Sequence, residues 1–447
     1  MKPLTRRNFL KTALTTSAIA AAPFNILKAG PSPNSKLNIA FIGFGNLAST
    51  TVRQFTNENI VAFCDVDETR PRKSVYERNP SLKDVKIWKD YRVMFDKIGK
   101  DIDAVYVATP DHVHFAPTMY AMKRGKHVYT QKPLTHTVNE ARLLTKAAAK
   151  YDVITQMGNQ GMSREGTALT VDWFRAGLLG PVKQVDAKSY HYFTEKPLSA
   201  ISAPPATLDW DLYLNRTASI PFRESYKRWH NWTHFGNAVG IMGSHALAAP
   251  HYALELGAPL SVIAKVEKLA MPGSFPGMGV VTWEFAARGN EPPVTMNYYM
   301  GGKKQHETDA AKAFGHPKHL EAGRKIPRSC YCLVGEKCSI MGSHTGGVRI
   351  IPETMMQKNL KCPRVAPRVK GGHAGSWISA CKGEGKTLSS FDWAGPYSEM
   401  ISLGNVALLH PNVKLLWDSK NMKITNHETA NKSPFIRRPN RDEMNWV

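Results

Sequence analysis

A short, largely apolar run, Leu37–Ile42, passes directly into Gly43-Phe44-Gly45-Asn46-Leu47-Ala48, and this junction constrains the fold more than any other stretch of the chain. An apolar run of that length reads as a buried strand, and the residues after it can open a helix. The G-x-G-x-x-A spacing has a mechanical reading. Gly43 permits the tight turn, Gly45 lets the backbone approach a pyrophosphate, and Ala48 keeps helix close to strand, while free N–H groups at the helix start face the phosphates. Phe44, Asn46 and Leu47 come with the loop as cofactor contacts. A second apolar run, "IVAFCDVD", ends at Asp65, where a carboxylate accepts the ribose hydroxyls of NAD and repels a 2′-phosphate. NAD is therefore expected rather than NADP, although Arg70 and Arg72 close behind can tolerate the phosphate.

Strands and helices then alternate. "DAVYVATP", "KHVYT" and "DVITQMG" read as strands, and "HFAPTMYAMKRG" and "VNEARLLTKAAAKY" as helices. This rhythm predicts an α/β fold, a Rossmann-type doubly wound parallel sheet with helices on both faces. Ligands of such sheets lie beyond the carboxyl ends of the strands, the positions of Thr109-Pro110-Asp111-His112 and Gln131-Lys132-Pro133. His112 and His114 form an HxH pair with no matching carboxylate or third histidine nearby. Hydrogen bonding around a nicotinamide or helix capping is expected of them, and no metal site.

Further along, "VVTWEF" and "VTMNYYM" repeat with period two, and "PVKQVDAKSYH", "SVIAKVEKL" and "YCLVGEKCSIM" add strands. A second, α+β domain with a large open sheet, mostly antiparallel and covered on one face, is expected.

The 447 residues exceed what one core usually spans, predicting about two or three domains. At the N-terminus, "TRRNFLK" sets Arg6 and Arg7 ahead of a mild run rich in Ala and Thr. It is similar to a twin-arginine export signal, expected over residues 1–30, and implies a periplasmic protein exported folded. Its apolar part, Ala13–Ala22, is shorter than the about 20 apolar residues of a membrane span, so no transmembrane anchor is expected. The formal charge of +23 is dispersed, densest from Lys303 to Lys370, without a nucleic-acid motif. A solvated basic surface or attraction to acidic glycans is expected, and no nucleic-acid partner. Six cysteines are irregularly spaced without CxxC pairs, so most are expected as buried thiols rather than zinc ligands.

Several blocks in order resemble one family. "TPDHVH", the "KP" after the next strand, "QMGNQG", "TLDWDLYL", "GIMGSHALAAP", "WISACKG" and "FDWAGPYSEMISLGNVAL" are similar to motifs of exported bacterial members of the Gfo/Idh/MocA family of sugar-acting dehydrogenases. The resemblance implies an NAD-binding Rossmann domain over 37–157 and a substrate domain over 158–447, with C-terminal helices and a tail. The sugar cleft would lie between the second sheet and the cofactor. Asn159 and Gln160 of "QMGNQG" would join Thr109, Pro110, His112, His114, Gln131 and Lys132 around the cofactor. The family's catalytic lysine matches Lys132, which contacts sugar hydroxyl and cofactor, and its proton-accepting histidine matches His245. His245 is thereby a substrate contact too, and the aromatic segments add Tyr192, Trp229 and Trp232 as candidates, although each tryptophan suits a core equally. Oligomers are frequent in the family, so a homo-oligomer through the exposed sheet face is a further expectation.

The chain departs from the family pattern at three carboxylates. Ile241 stands where the proton relay carries aspartate, four residues before His245; Gln131 replaces the glutamate before Lys132; and Ala248 stands where many relatives carry another acid. Those carboxylates raise a neighbouring histidine's pKa and fix its ring. The site is therefore expected to borrow a group, with His230, His234 and Tyr192 as candidates. The function expected is an exported NAD-dependent oxidoreductase, transferring hydride between a sugar or glycoside secondary alcohol and tightly bound nicotinamide. Two alternatives stay open: an NAD-dependent, redox-assisted glycoside hydrolase or lyase, and a non-catalytic sugar-binding relative.

Overall fold

The computed structural model describes residues 35–77, 79–190, 197–301, 326–357, 362–438 and 441. Its first sheet grows from the early apolar runs. Strands β1 (Asn38–Ile42), β2 (Asn59–Cys64), β3 (Ile87–Trp88), β4 (Ala104–Val107), β5 (His127–Thr130) and β6 (Thr155–Met157) are all parallel, in the order β3-β2-β1-β4-β5-β6. Because β1 lies between β2 and β4, the winding reverses there, and a crevice opens at the carboxyl ends of these strands. All of β4 is buried, which is why its sequence is continuously apolar rather than alternating. The helix Val138–Tyr151 begins where Thr137 accepts the N–H of Glu140, and it buries Ala141, Leu144 and Ala147 at helical spacing.

The second sheet has nine strands: β7 (Val182–Tyr190), β8 (Ser261–Val266), β9 (Gly279–Phe285), β10 (Val294–Gly301), β11 (Cys330–Gly335), β12 (Ser339–Gly342), β13 (Val348–Ile351), β14 (Leu415–Asp418) and β15 (Lys423–Ile424). Their order is β13-β12-β11-β7-β10-β9-β8-β14-β15, with β7 and β10 parallel and the other neighbours antiparallel. The period-two runs bury one side: Val281, Trp283 and Phe285 of β9 and Val294, Met296 and Tyr298 of β10 are in the core, while Thr282, Glu284 and Asn297 are partly exposed. "YCLVGEKCSIM" makes two strands rather than one, since the chain turns at Glu336 and Lys337.

Helices from late in the chain bind the two sheets together. The helix Phe391–Leu409 packs on Val138–Tyr151 and across β8 and β9. Trp283 donates to the Met400 carbonyl at 3.0 Å, and Arg142 forks onto Glu399 at 2.8 and 2.7 Å. A second helix, Gly372–Cys381, sets Ala374, Trp377 and Cys381 among Phe41, Phe55, Tyr106 and Tyr129. The first sheet thus ends at Met157, but its core is completed by residues more than two hundred positions later. Cys64, Cys330, Cys332, Cys338 and Cys381 are buried free thiols. Among the described residues no helix is long and apolar enough to cross a membrane. The expected signal, residues 1–30, and Tyr192 lie outside the described residues.

Candidate functional site

A cavity of about 370 Å³ runs along the carboxyl ends of the first sheet. In sheet order it passes Asp65 after β2, Gly43 to Gly45 after β1, Thr109 to Asp111 after β4, and Gln131 and Lys132 after β5. Leu208, Leu212, Tyr213, Trp229, His230 and Ile241, all from beyond the first sheet, wall its other side.

The glycine loop is built as its spacing requires. Gly43 has φ +89°, and a Cβ there would stand 2.6 Å from the Thr109 nitrogen and 2.7 Å from the Ala108 carbonyl. Gly45 has no atom within 4 Å of where its Cβ would be, so the approach to its backbone is open. The helix Asn46–Thr51 starts directly after it. Phe44 contributes main chain only, its ring packing on Phe63 at 4.6 Å. Its N–H donates to Asp65 Oδ2 at 2.7 Å, and Asp67 N–H donates to Oδ1 at 2.9 Å. Burial pushes the Asp65 pKa up, while these N–H groups and Arg70 pull it back. A carboxylate offers about four acceptor sites, so capacity remains for ribose hydroxyls. Farther along the wall, Thr109 Oγ1 and Gln131 Oε1 are buried without a protein partner. Orphaned polar atoms are costly in a folded chain. An open helix start, an accepting carboxylate and two orphaned atoms along one cavity fit a dinucleotide. Asp65→Ala is expected to weaken NAD binding by about 2 kcal/mol, about thirtyfold in Kd; a fluorescence titration that finds unchanged affinity would separate Asp65 from the ribose.

At the β5 end three side chains converge on one helix. Asn237 caps the helix Ala238–Ala246 by accepting the Gly240 N–H at 2.8 Å, and Asn405 Oδ1 accepts the Val239 N–H at 3.1 Å. Asp111 Oδ2 accepts the Asn237 N–H at 3.0 Å. Lys132 Nζ donates to the Ile241 carbonyl, one turn farther on. Burial raises the Asp111 pKa well above the carboxylate range, against the pull of the Lys132 charge, and burial lowers Lys132 against the pull of Asp111. The two shifts have one cause, burial of opposite charges that each favour the other's ionised form. Gln131 Nε2 donates to the Tyr106 hydroxyl at 2.6 Å. The glycine at 158 makes room for it, since a Cβ there would lie 2.5 Å from Oε1.

The other expected site residues divide. Thr109, Pro110, His114 and Trp229 line the cavity with Lys132. His114 has its ring nitrogens 2.7 Å from the Pro133 carbonyl and 2.9 Å from that of Thr109. Burial lowers its pKa to about 4, so the neutral ring donates to one of them. His112 points instead into the core, bonded to the Tyr213 carbonyl at 2.8 Å and packed on Phe235. Trp232 is buried beside Tyr226 and Phe235, with Nε1 on the Ser225 carbonyl, and does not reach the cavity. His234 is exposed, whereas His230 lines the cavity beside Trp229. Asn159, His245 and Ala248 meet His344 around a separate small cavity. The rings of His245 and His344 stack at 5.1 Å, and both amide atoms of Asn159 and Nδ1 of His245 lack protein partners. Burial, then the Lys132 charge, hold His245 well below its ordinary pKa. Gln160 interacts with the Tyr129 hydroxyl. Among the described residues no group of three His, Cys, Asp or Glu side chains is placed to hold a metal ion.

The sequence placed Asp111 at a ligand position without giving it a role, and singled out neither Asn237 nor Tyr213. Asp111 had a signal, a carboxylate just beyond the end of β4; the other two had none.

Residues 37–159 match the family model GFO_IDH_MocA, an oxidoreductase family with an NAD-binding Rossmann fold. Over these residues the chain is similar to the Gfo/Idh/MocA family. The chain is 38% identical over 104 residues to "Glycosyl hydrolase family 109 protein 3" of Phocaeicola vulgatus, covering 22% of this chain and 19% of that protein. It is 26% identical over 226 residues to an alpha-N-acetylgalactosaminidase of Shewanella oneidensis, covering 43% of this chain and 47% of that one. The chain thus spans less than half the length of these curated relatives. In fold it resembles the WlbA dehydrogenase of Bordetella pertussis, solved with NADH and UDP-GlcNAcA, with a TM-score of 0.58 at 15% identity, covering 86% of this chain and 99% of that one. The matched family is NAD-binding, and the match takes in the glycine loop, Asp65 and Lys132.

Proposed function

We propose that the protein is an exported, NAD-retaining oxidoreductase that removes hydride from a secondary alcohol of a sugar or glycoside. The observation that carries this reading is the single cavity joining the Gly43–Gly45 loop to Lys132 and Asp111. Gly43, Gly45, Asp65, Thr109 and Gln131 would hold the cofactor, with Lys132 at its reacting end. Bound NAD supplies the hydride acceptor. Lys132, held on the Ile241 carbonyl, presents a cation to the oxygen that gains charge as hydride leaves. Trp229 offers an aromatic ring of the kind a pyranose packs on, with the His230 ring set edge-on to it. Export rests on the Arg6-Arg7 signal. A dinucleotide must be loaded where it is made, so a protein that carries one outward has to fold first. Beyond the inner membrane no NAD pool renews the cofactor, and each cycle has to restore its redox state.

The test is direct. Protein denatured after purification should release NAD in near-equimolar amount. Intact protein should change nicotinamide absorbance with at least one of glucose, N-acetylglucosamine, N-acetylgalactosamine and their para-nitrophenyl glycosides. Absence of both results removes the oxidoreductase reading. A second reading, the redox-assisted glycosidase, is favoured by the 226-residue likeness to the Shewanella oneidensis enzyme; release of para-nitrophenol without net absorbance change of the nicotinamide selects it. Cell fractionation that finds the protein in the cytoplasm overturns export.

A further inference from the structure

We propose that Asp111 is the catalytic carboxylate of this site, taking the proton of the sugar hydroxyl as hydride leaves the same carbon. The inference rests on the oxidoreductase reading above. Position 241, where the relay aspartate is expected, is Ile, and Ile241 contributes to the cavity wall an apolar side chain and a carbonyl occupied by Lys132. His245 lines a different cavity. Asp111 lines the main cavity with Lys132 and is 3% exposed. Its anchor is rigid: Asp111 Oδ2 holds the Asn237 N–H, and Asn237 is held in turn by Asn405 and by its own cap on Gly240.

The step balances. The O–H bond breaks and its proton goes to the Asp111 carboxylate; the C–H bond breaks and its electron pair leaves as hydride to the nicotinamide; the carbon–oxygen double bond forms. The sugar is oxidised and NAD+ reduced. Lys132 stays protonated and stabilises the oxygen meanwhile. Lys132 after β5 and Tyr213 of the short helix Trp210–Leu214 interact with the Asp111 charge; His114, His230, Asp65, Arg70, Lys89 and Asp90 line the same cavity, and burial lowers the pKa of both histidines. Asp111 must be ionised to act. Burial raises its pKa, so the rate should rise as pH climbs through that raised value.

Asp111→Asn keeps an acceptor for the Asn237 N–H and removes the base. Single-turnover nicotinamide reduction, with the fastest probe sugar of the panel above, should fall about 100-fold and lose its acidic limb, while NAD content and sugar affinity stay unchanged. Asp111→Ala, which leaves room for a small acid, should regain rate with added formate. A rate above about a tenth of wild type, or an unchanged acidic limb, overturns Asp111 alone. If Asp111→Asn fails to fold, the Ala variant decides: loaded with NAD and unresponsive to formate, it overturns the proposal. A wild type inert toward every probe overturns the oxidoreductase reading and this inference with it.

Discussion

Lys132→Ala is expected to lower turnover on the fastest probe sugar about 1,000-fold while leaving NAD bound. Two losses add. The substrate oxygen loses its cation, and Asp111 is left buried without the charge that favours its ionised form, so its pKa rises further. Cofactor retention follows from distance along the sheet: the glycine loop follows β1 and Asp65 follows β2, while Lys132 follows β5. Single-turnover rates and the NAD released on denaturation report the two quantities separately. Near-normal turnover removes Lys132 from the chemistry; loss of NAD along with the rate makes it a cofactor residue first.

Gly43→Ala should be worse for the molecule than for any one step. The backbone there is left-handed, at φ +89°, which costs a residue with a Cβ about 1–3 kcal/mol. The new methyl would also meet main-chain atoms of Ala108 and Thr109 at 2.6 to 2.7 Å. Ala108 is fixed by the sheet, its N–H bonded to the Ile42 carbonyl, and Gly43 N–H is bonded to that of Cys64, both at 2.8 Å. Forcing the strands apart costs about 1–3 kcal/mol more. We expect a stability loss of about 3 kcal/mol or more and protein purified without NAD. Gly125→Ala is the control: φ is +69° and nothing lies within 4 Å of the added atom, so only strain of about 1 kcal/mol applies. Urea midpoints and NAD content compare the two, and equal effects would mean that crowding at Gly43 is relieved by movement of β4.

The elements were legible where a local cause sets them. The helix Val138–Tyr151 matches its sequence pattern to the residue because Thr137 caps it and Asp152 leaves it in the left-handed region. The alternation in β9 and β10 faces the core as written. The aromatic segment around Trp229 was ambiguous for a physical reason. A tryptophan that stacks on a sugar and one that fills a core look alike in sequence, and the structure puts Trp229 on the cavity and Trp232 in the interior. His112 and His114 part in the same way, two residues apart on one turn.

By itself, the sequence determined the doubly wound sheet, the glycine turn and its acidic partner, and the second sheet's pleat, because each follows from sterics and hydrogen bonds among near neighbours. Only the tertiary structure decided which groups share the reacting end of the cavity. Asp111 meets Asn237 across 126 residues, and Lys132 meets Ile241 across 109. Such encounters depend on how two sheets are clamped by the helix Phe391–Leu409, and no periodicity within either segment encodes them.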